Sequence, residues 1–422
     1  MTQESCHAMW TELGLHIERH DEMLEALSRA FTRTHLWQSS RPRAMRHFDD
    51  GFHASHASRV AEIRDHRKKG GKSIGTFCIY VPDEIALAAG VVPIPLCGGT
   101  NWSVSHADRM FPRDICPIVR STFGMAFAGT CPFETLKDLA VGETTCDAKK
   151  KAWDLMGFEA LEVPQKKKPF DRELWRQEVR GFKDMVESLA GVTITREKLG
   201  EAIALCDRRR ELLQEINALR ALDEPPISGL DALLVSQVAL SQDIRRFIEG
   251  AESLLDELRD RVRGGIGAYE RPGMRIVLAG SPSPLGNAKV HWIVESSGMR
   301  IVADESCTGM RYFRDLVGPV SGDLDVMIAA IADRYLQIDC ACFSPNRERM
   351  ENVRAAVERY RAQGVVHNVL QFCHGFDIEA KALDRMLSRD GIPSIKIVTD
   401  YSEEDVERIR VRLEAFREVA GH

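Results

Sequence analysis

Short apolar runs of strand type alternate with helical segments in two separate stretches of this chain. No other feature narrows its fold so far. In the first stretch, SIGTFCIYVP (73–82) and VVPIPLC (91–97) read as strands, and PDEIALAAG (82–90) is a short helix stopped by Gly90. A helix starting near Cys116 and a strand at DLAVGETT (138–145) continue the pattern. In the second stretch, MRIVLAGSP (274–282), MRIVADES (299–306), VVHNVLQF (365–372) and PSIKIVTD (393–400) read as strands. Helices at 288–298, 326–337, 346–364, 379–391 and 402–420 fall between and after them, the last opening on a Ser402 cap and an acidic first turn. Strand and helix alternating at this spacing imply a parallel sheet covered by helices.

Residues 171–265 carry helical periodicity and few strand signals. Thr195 caps one helix, the pair Pro225-Pro226 breaks the run, and 231–262 reads as one further helix. Residues 1–65 are polar and His-rich, with helical patches such as MLEALSRAF (23–31). The expected fold class is therefore α/β: two doubly wound parallel-sheet domains of Rossmann or flavodoxin type. The expected division is an N-terminal helical extension (1–65, a lid or dimer element), a first α/β domain (66–170), a helical connector (171–270) and a second α/β domain (271–422).

The balance of 57 Lys+Arg against 63 Asp+Glu gives a net charge of −6, which argues against non-specific nucleic-acid binding. Asp83, Glu84 and Asp333 interrupt the longest apolar runs, which fall short of the ~18–20 residues of a membrane span. MTQESCHAMW has neither the basic start nor the apolar core of an export signal, so a cytoplasmic location is expected.

In such a reducing compartment the 11 cysteines do not read as a disulfide scaffold, and their number is odd. Their placement is more informative. Four lie between 97 and 146 and four between 307 and 373, with Cys206 alone between the groups. Cys97, Cys146, Cys307 and Cys373 follow the carboxyl ends of expected strands, where open parallel sheets place their ligands. Cys116 precedes Pro117, so its sulfur falls at a helix N-terminus that favours the thiolate. Cys340 closes another connection. In Cys340-Ala341-Cys342 we read Cys340 as a ligand and Cys342 as its neighbour. Cys6, Cys78 and Cys206 read as ordinary core residues. Convergent thiolates suit soft metals and iron–sulfur clusters. Structural zinc needs paired CxxC knuckles, which the chain lacks, so the pattern favours iron–sulfur over zinc or no metal.

Other signals are weaker. KKGGKSIG (68–75) is not a phosphate loop, because His66 stands where the motif needs Gly. The turns at 280–284 lack GxGxxG. The triplets Lys149–Lys151 and Lys166–Lys168 read as solvated faces. Glu143 and His374 are candidate proton donors beside Cys146 and Cys373, with a strand-end cap and a surface histidine as the plainer readings. Glu305 and Ser306, before Cys307, carry the same ambiguity.

The run GETTCDAKKKAWDLM (142–156) with EVPQKKK (162–168) resembles the 2-hydroxyacyl-CoA dehydratase D-component (benzoyl-CoA reductase-like) superfamily. VPIPLCGGT (92–100), DICPIVRSTFG (114–124) and TCPFETLKDLAVGETTCD (130–147) are most similar to its double-cubane cluster branch. The resemblance spans roughly 70–170 and 270–422, with Ala148 where Gly is expected. It implies the dehydratase cluster ligands at Cys116, Cys146 and Cys340. It implies three further thiols, assigned to Cys97, Cys307 and Cys373, that complete an 8Fe–9S double cubane; Cys131 and Cys342 are held in reserve. It also implies a homodimer, a small unsaturated substrate and an ATP-hydrolysing activator that carries its own 4Fe–4S cluster. The alternatives are a dehydratase or aromatic acyl-CoA reductase subunit with a single 4Fe–4S cluster, and a non-catalytic iron–sulfur scaffold or storage protein.

Overall fold

The computed structural model describes residues 1–420. Two four-stranded sheets, all parallel, organise the chain. The first contains β1 (Ser73–Thr76), β2 (Val92–Pro95), β3 (Leu139–Glu143) and β4 (Glu159–Leu161) in the order β2-β1-β3-β4. The second contains β5 (Met274–Gly280), β6 (Met299–Glu305), β7 (Gly364–Leu370) and β8 (Ser394–Thr399) in the order β6-β5-β7-β8. The two orders are the same, and in each the winding reverses between the first and third strands. Helices cover the sheets, so buried strands such as β6 and β7 are apolar along much of their length. The expected α/β class holds.

The helical stretch between the sheets is a weld. Helices Pro169–Ala190, Arg196–Ala218, Gly229–Ser241 and Ile244–Arg263 share one core with Ile74 and Val141 of the first sheet and with Ile331 and Ile338 from the connection between β6 and β7. Trp175 is fully buried, and its indole N–H donates to the Ala332 carbonyl at 2.9 Å. Arg210 carries the tie further. It pairs with Glu84 at 2.7 Å and Asp207 at 3.0 Å, and it donates to the Tyr335 hydroxyl at 3.2 Å. That hydroxyl donates in turn to Glu84 Oε2 at 2.8 Å. Four residues from three parts of the chain thus meet with almost no solvent.

Several boundaries differ from expectation. β1 stops at Thr76 because Cys78 turns into the left-handed region at φ 68°. The expected helix 231–262 is two helices: Ser241 ends the first, and the Asp243 carboxylate caps the second by accepting from the N–H groups of Arg245 and Arg246, both at 3.1 Å. The last helix starts at Val406, not Ser402, because Asp405 is drawn into bonds with Lys289 and Thr399, both at 2.7 Å. The helix expected from 379 starts at His374. The three-residue β4 was too short to stand out. Among the described residues, no helix is long and apolar enough to cross a membrane.

Candidate cluster-binding cavity

The carboxyl ends of both sheets open into one cavity of about 660 Å³. Nine of the eleven cysteines line it: Cys78, Cys97, Cys116, Cys131, Cys146, Cys307, Cys340, Cys342 and Cys373. All six candidate ligands and both reserves are among them. Cys6 and Cys206 are buried in the core, as expected. Cys78 is the residue that sequence reasoning missed. It was read as a core thiol, but it lines the cavity, and its thiol interacts with Cys307 across the two halves of the chain. Its signal was its place just past a strand that proves shorter than the apolar run.

The thiols occupy matched places in the two halves. Cys97 lies two residues beyond β2 and Cys307 two beyond β6. Cys146 lies three residues beyond β3 and Cys373 three beyond β7, and each is the N-cap of the next helix. Cys116 and Cys340 fall between the second and third strands of their halves. Cys116 and Cys131 are also N-caps, each followed by Pro at the first helical position. Cys78 has no such counterpart, because Pro282 stands two residues beyond β5.

Burial dominates the chemistry of these thiols. Desolvation pushes Cys97, Cys131 and Cys373 up to about 11. It also raises Cys116, so the helix start expected to favour its thiolate is present but outweighed. Two thiols move the other way. Cys340 is pushed down to about 7, first by a hydrogen bond with Cys342, which rises in exchange. Cys307 is lowered by its bond with Cys78 and by Arg311, whose Nη1 lies 3.6 Å from the sulfur. Arg311 is fully buried between Glu305 at 2.8 Å and Asp339 at 3.3 Å. Glu305, ambiguous in sequence, is therefore a partner of the arginine behind a thiol.

Glu143 is fully buried and does not line the cavity. Its Oε1 accepts from the Thr145 hydroxyl at 2.7 Å and from the Lys149 ammonium. Lys149, not Glu143, is on the wall. The lysine triplets are thus not uniformly solvated: the side chains of Lys149 and Lys167 are 14% and 13% exposed, the second paired with Glu348. Lys149–Lys151 lie on the helix Asp147–Met156, where successive residues point about 100° apart, so those three cannot share one face. His374 is exposed and lines the cavity beside Cys373.

The remaining wall comes from outside the sheets. Leu24, Leu27, Phe52 and His53 belong to the helices Ile17–His35 and Met45–His53 and line the cavity. Gln237, on the connector, donates to the carbonyls of Ser283 at 2.8 Å and Pro284 at 2.9 Å, which holds the loop after β5. Gly99 packs so closely on that loop that a Cβ there would strike the Leu285 carbonyl oxygen. Among the described residues, no three His, Cys, Asp or Glu side chains converge as a single ion requires. The donors instead surround a volume.

Comparison with known proteins agrees with this picture. Over 378 residues the chain is 34% identical to the Escherichia coli (strain K12) protein YjiM, named for a dehydratase subunit, covering 88% of this chain and 97% of that one. It is 24% identical to the (R)-phenyllactyl-CoA dehydratase beta subunit of Clostridium sporogenes, covering 83% of this chain and 92% of the relative. It is also 24% identical to one of the benzoyl-CoA reductase subunits of Thauera aromatica, with 82% and 89% covered. The sequence model of the 2-hydroxyglutaryl-CoA dehydratase D-component matches residues 78–420, which include every strand but β1 and all nine cavity thiols. The chain belongs to the 2-hydroxyglutaryl-CoA dehydratase D-component family.

Proposed function

We propose that the chain is an iron–sulfur reductase that holds an 8Fe–9S double cubane on Cys97, Cys116 and Cys146 of one half and Cys307, Cys340 and Cys373 of the other. The observation that carries this reading is the matched placement of three thiols in each half around one cavity. The donor set fits, since iron–sulfur clusters take thiolate ligands and these donors surround a volume instead of a point. When bound, such a group supplies low-potential electrons and an iron site for a small unsaturated substrate.

The chain's own residues do the rest. Leu24, Leu27 and Phe52 cover the cavity with apolar surface and limit water. Arg311, pinned by Glu305 and Asp339, orients Cys307. His374 stands at the surface beside Cys373, where it can exchange protons with solvent. The wall cations Lys149 and Lys150 are already matched by Glu143 and Asp147. In this reading the electrons come from a separate ATP-hydrolysing activator with its own 4Fe–4S cluster, and the chain works as a homodimer.

The names of its relatives favour a second reading: a dehydratase-type subunit with one 4Fe–4S cluster on Cys116, Cys146 and Cys340 and an acyl-CoA substrate. Iron and acid-labile sulfide counted on anaerobically reconstituted protein separate the two. About eight irons per chain support the double cubane, and about four support the single cluster. No iron refutes both. Loaded protein that accepts no electrons from a low-potential donor leaves only a scaffold. Cys146→Ser with unchanged iron removes that residue from the ligand set.

A further inference from the structure

Lys149 has features that the ligand set does not explain. It is a nearly buried cation on the wall of a thiol cavity, three residues after Cys146. Its ammonium has three N–H donors. One goes to Glu143 Oε1 and one to the Thr145 hydroxyl at 3.1 Å. Thr145 in turn donates to Glu143 at 2.7 Å, so the three groups form a closed triangle. Among the described residues, the third N–H has no protein partner. The Lys149 ammonium also lies 5.2 Å from the Phe77 ring centroid, which fixes it from another side. Glu143 stays behind the wall while Lys149 lines it, so the pair is a dipole with its positive end toward the cavity. Arg311, the other buried cation near the thiols, lies off the wall between two carboxylates.

We infer that Lys149 is a positioning residue for electron storage: its pinned ammonium offsets the negative charge that accumulates on the thiolate-bound group and so raises the reduction potential of that group. This rests on the iron–sulfur reading above. Thr145 and Glu143 serve to hold the ammonium at the wall, where a free lysine would swing out to solvent.

The test is an EPR-monitored redox titration of reconstituted protein, with iron counted on every sample. Lys149→Met should keep its iron and shift the midpoint to more negative potential. The expected size is at least tenfold in the reduction equilibrium, ~59 mV for a one-electron couple. Lys149→Arg should recover most of the shift. Lys151→Met, which removes the same charge from a side chain 85% exposed, should leave the midpoint in place. Glu143→Gln, whose amide oxygen still accepts from Lys149 and Thr145, should move it in the opposite direction, because the held ammonium then stands uncompensated; that variant decides the matter if Lys149→Met does not fold. Full iron with an unmoved midpoint in Lys149→Met overturns the inference, and so does a negative shift in Glu143→Gln. A wild-type chain that holds no iron overturns the underlying reading as well, so the two failures are told apart by the iron count.

Discussion

Replacing Arg210 by Met removes the cation from a junction of three parts of the chain. Glu84 and Arg210 are each 0% exposed in their side chains and pair at 2.7 Å. Burial alone pushes the Glu84 carboxyl up, but Arg210 and Arg334 more than offset this and hold it below its usual range. Removing one partner of such a pair leaves an uncompensated buried charge, at a cost of about 3–5 kcal/mol. Asp207 keeps the N–H groups of Val317 and Gly318, at 3.1 and 2.8 Å, so the loss falls chiefly on Glu84 and Tyr335. At ~2.1 cal/mol/K of unfolding entropy per residue, 4 kcal/mol lowers Tm by about 4–5 °C if the chain unfolds as one unit. Urea unfolding followed by circular dichroism and tryptophan fluorescence measures the cost and shows whether a single transition applies. The double variant Glu84→Leu/Arg210→Met should recover most of it, since both charges are gone. A loss under about 1 kcal/mol in Arg210→Met, or a double variant no better than the sum of the singles, refutes the reasoning.

Three further outcomes are expected. Gly99→Ala should cost about 1–3 kcal/mol and lower the iron retained after reconstitution, because its Cβ displaces the loop at Leu285; unchanged stability and iron would contradict it. Burial holds His20 down to about 3 and His56 to about 4, so both fold as neutral rings. Their folded pKa values lie below the unfolded value, so their contribution is complete above pH ~6.5 and is lost as pH falls toward 4. At pH 5 each costs about 2 kcal/mol, and amide exchange in the N-terminal helices should accelerate there, whereas flat exchange from pH 7 to 5 would oppose this. Cys206→Ala should cost about 1–2 kcal/mol as a core truncation with iron content intact; lost iron would place that thiol in the site's support.

Much of the fold was legible because buried parallel strands are apolar runs and the turns after them carry Gly, Pro or Cys. Cys97, Cys146, Cys307 and Cys373 could be placed at strand ends from order alone. What escaped notice depends on contacts between distant segments. Cys78 looked like one more apolar residue within 73–82, and only its left-handed backbone turns it out of the strand. Lys149 looked solvated beside two other lysines, and its burial depends on Glu143, six residues earlier. The break before Ile244 lies in a run whose periodicity continues through it, so only the capping bonds of Asp243 reveal it. That the N-terminal helices line the cavity has no local signature, since their apolar residues serve equally well against any neighbour.

The matched offsets past β2 and β6, and past β3 and β7, mean that the wall of this cavity is written twice along the chain. Substitutions at corresponding thiols, such as Cys97→Ser and Cys307→Ser, should then resemble each other more than two substitutions within one half. The copies part company at the first strand of each sheet, where one carries Cys78 and the other Pro282. Whatever occupies the cavity meets thiols at matched places from both halves, and Cys78 is one point at which it can tell one end from the other.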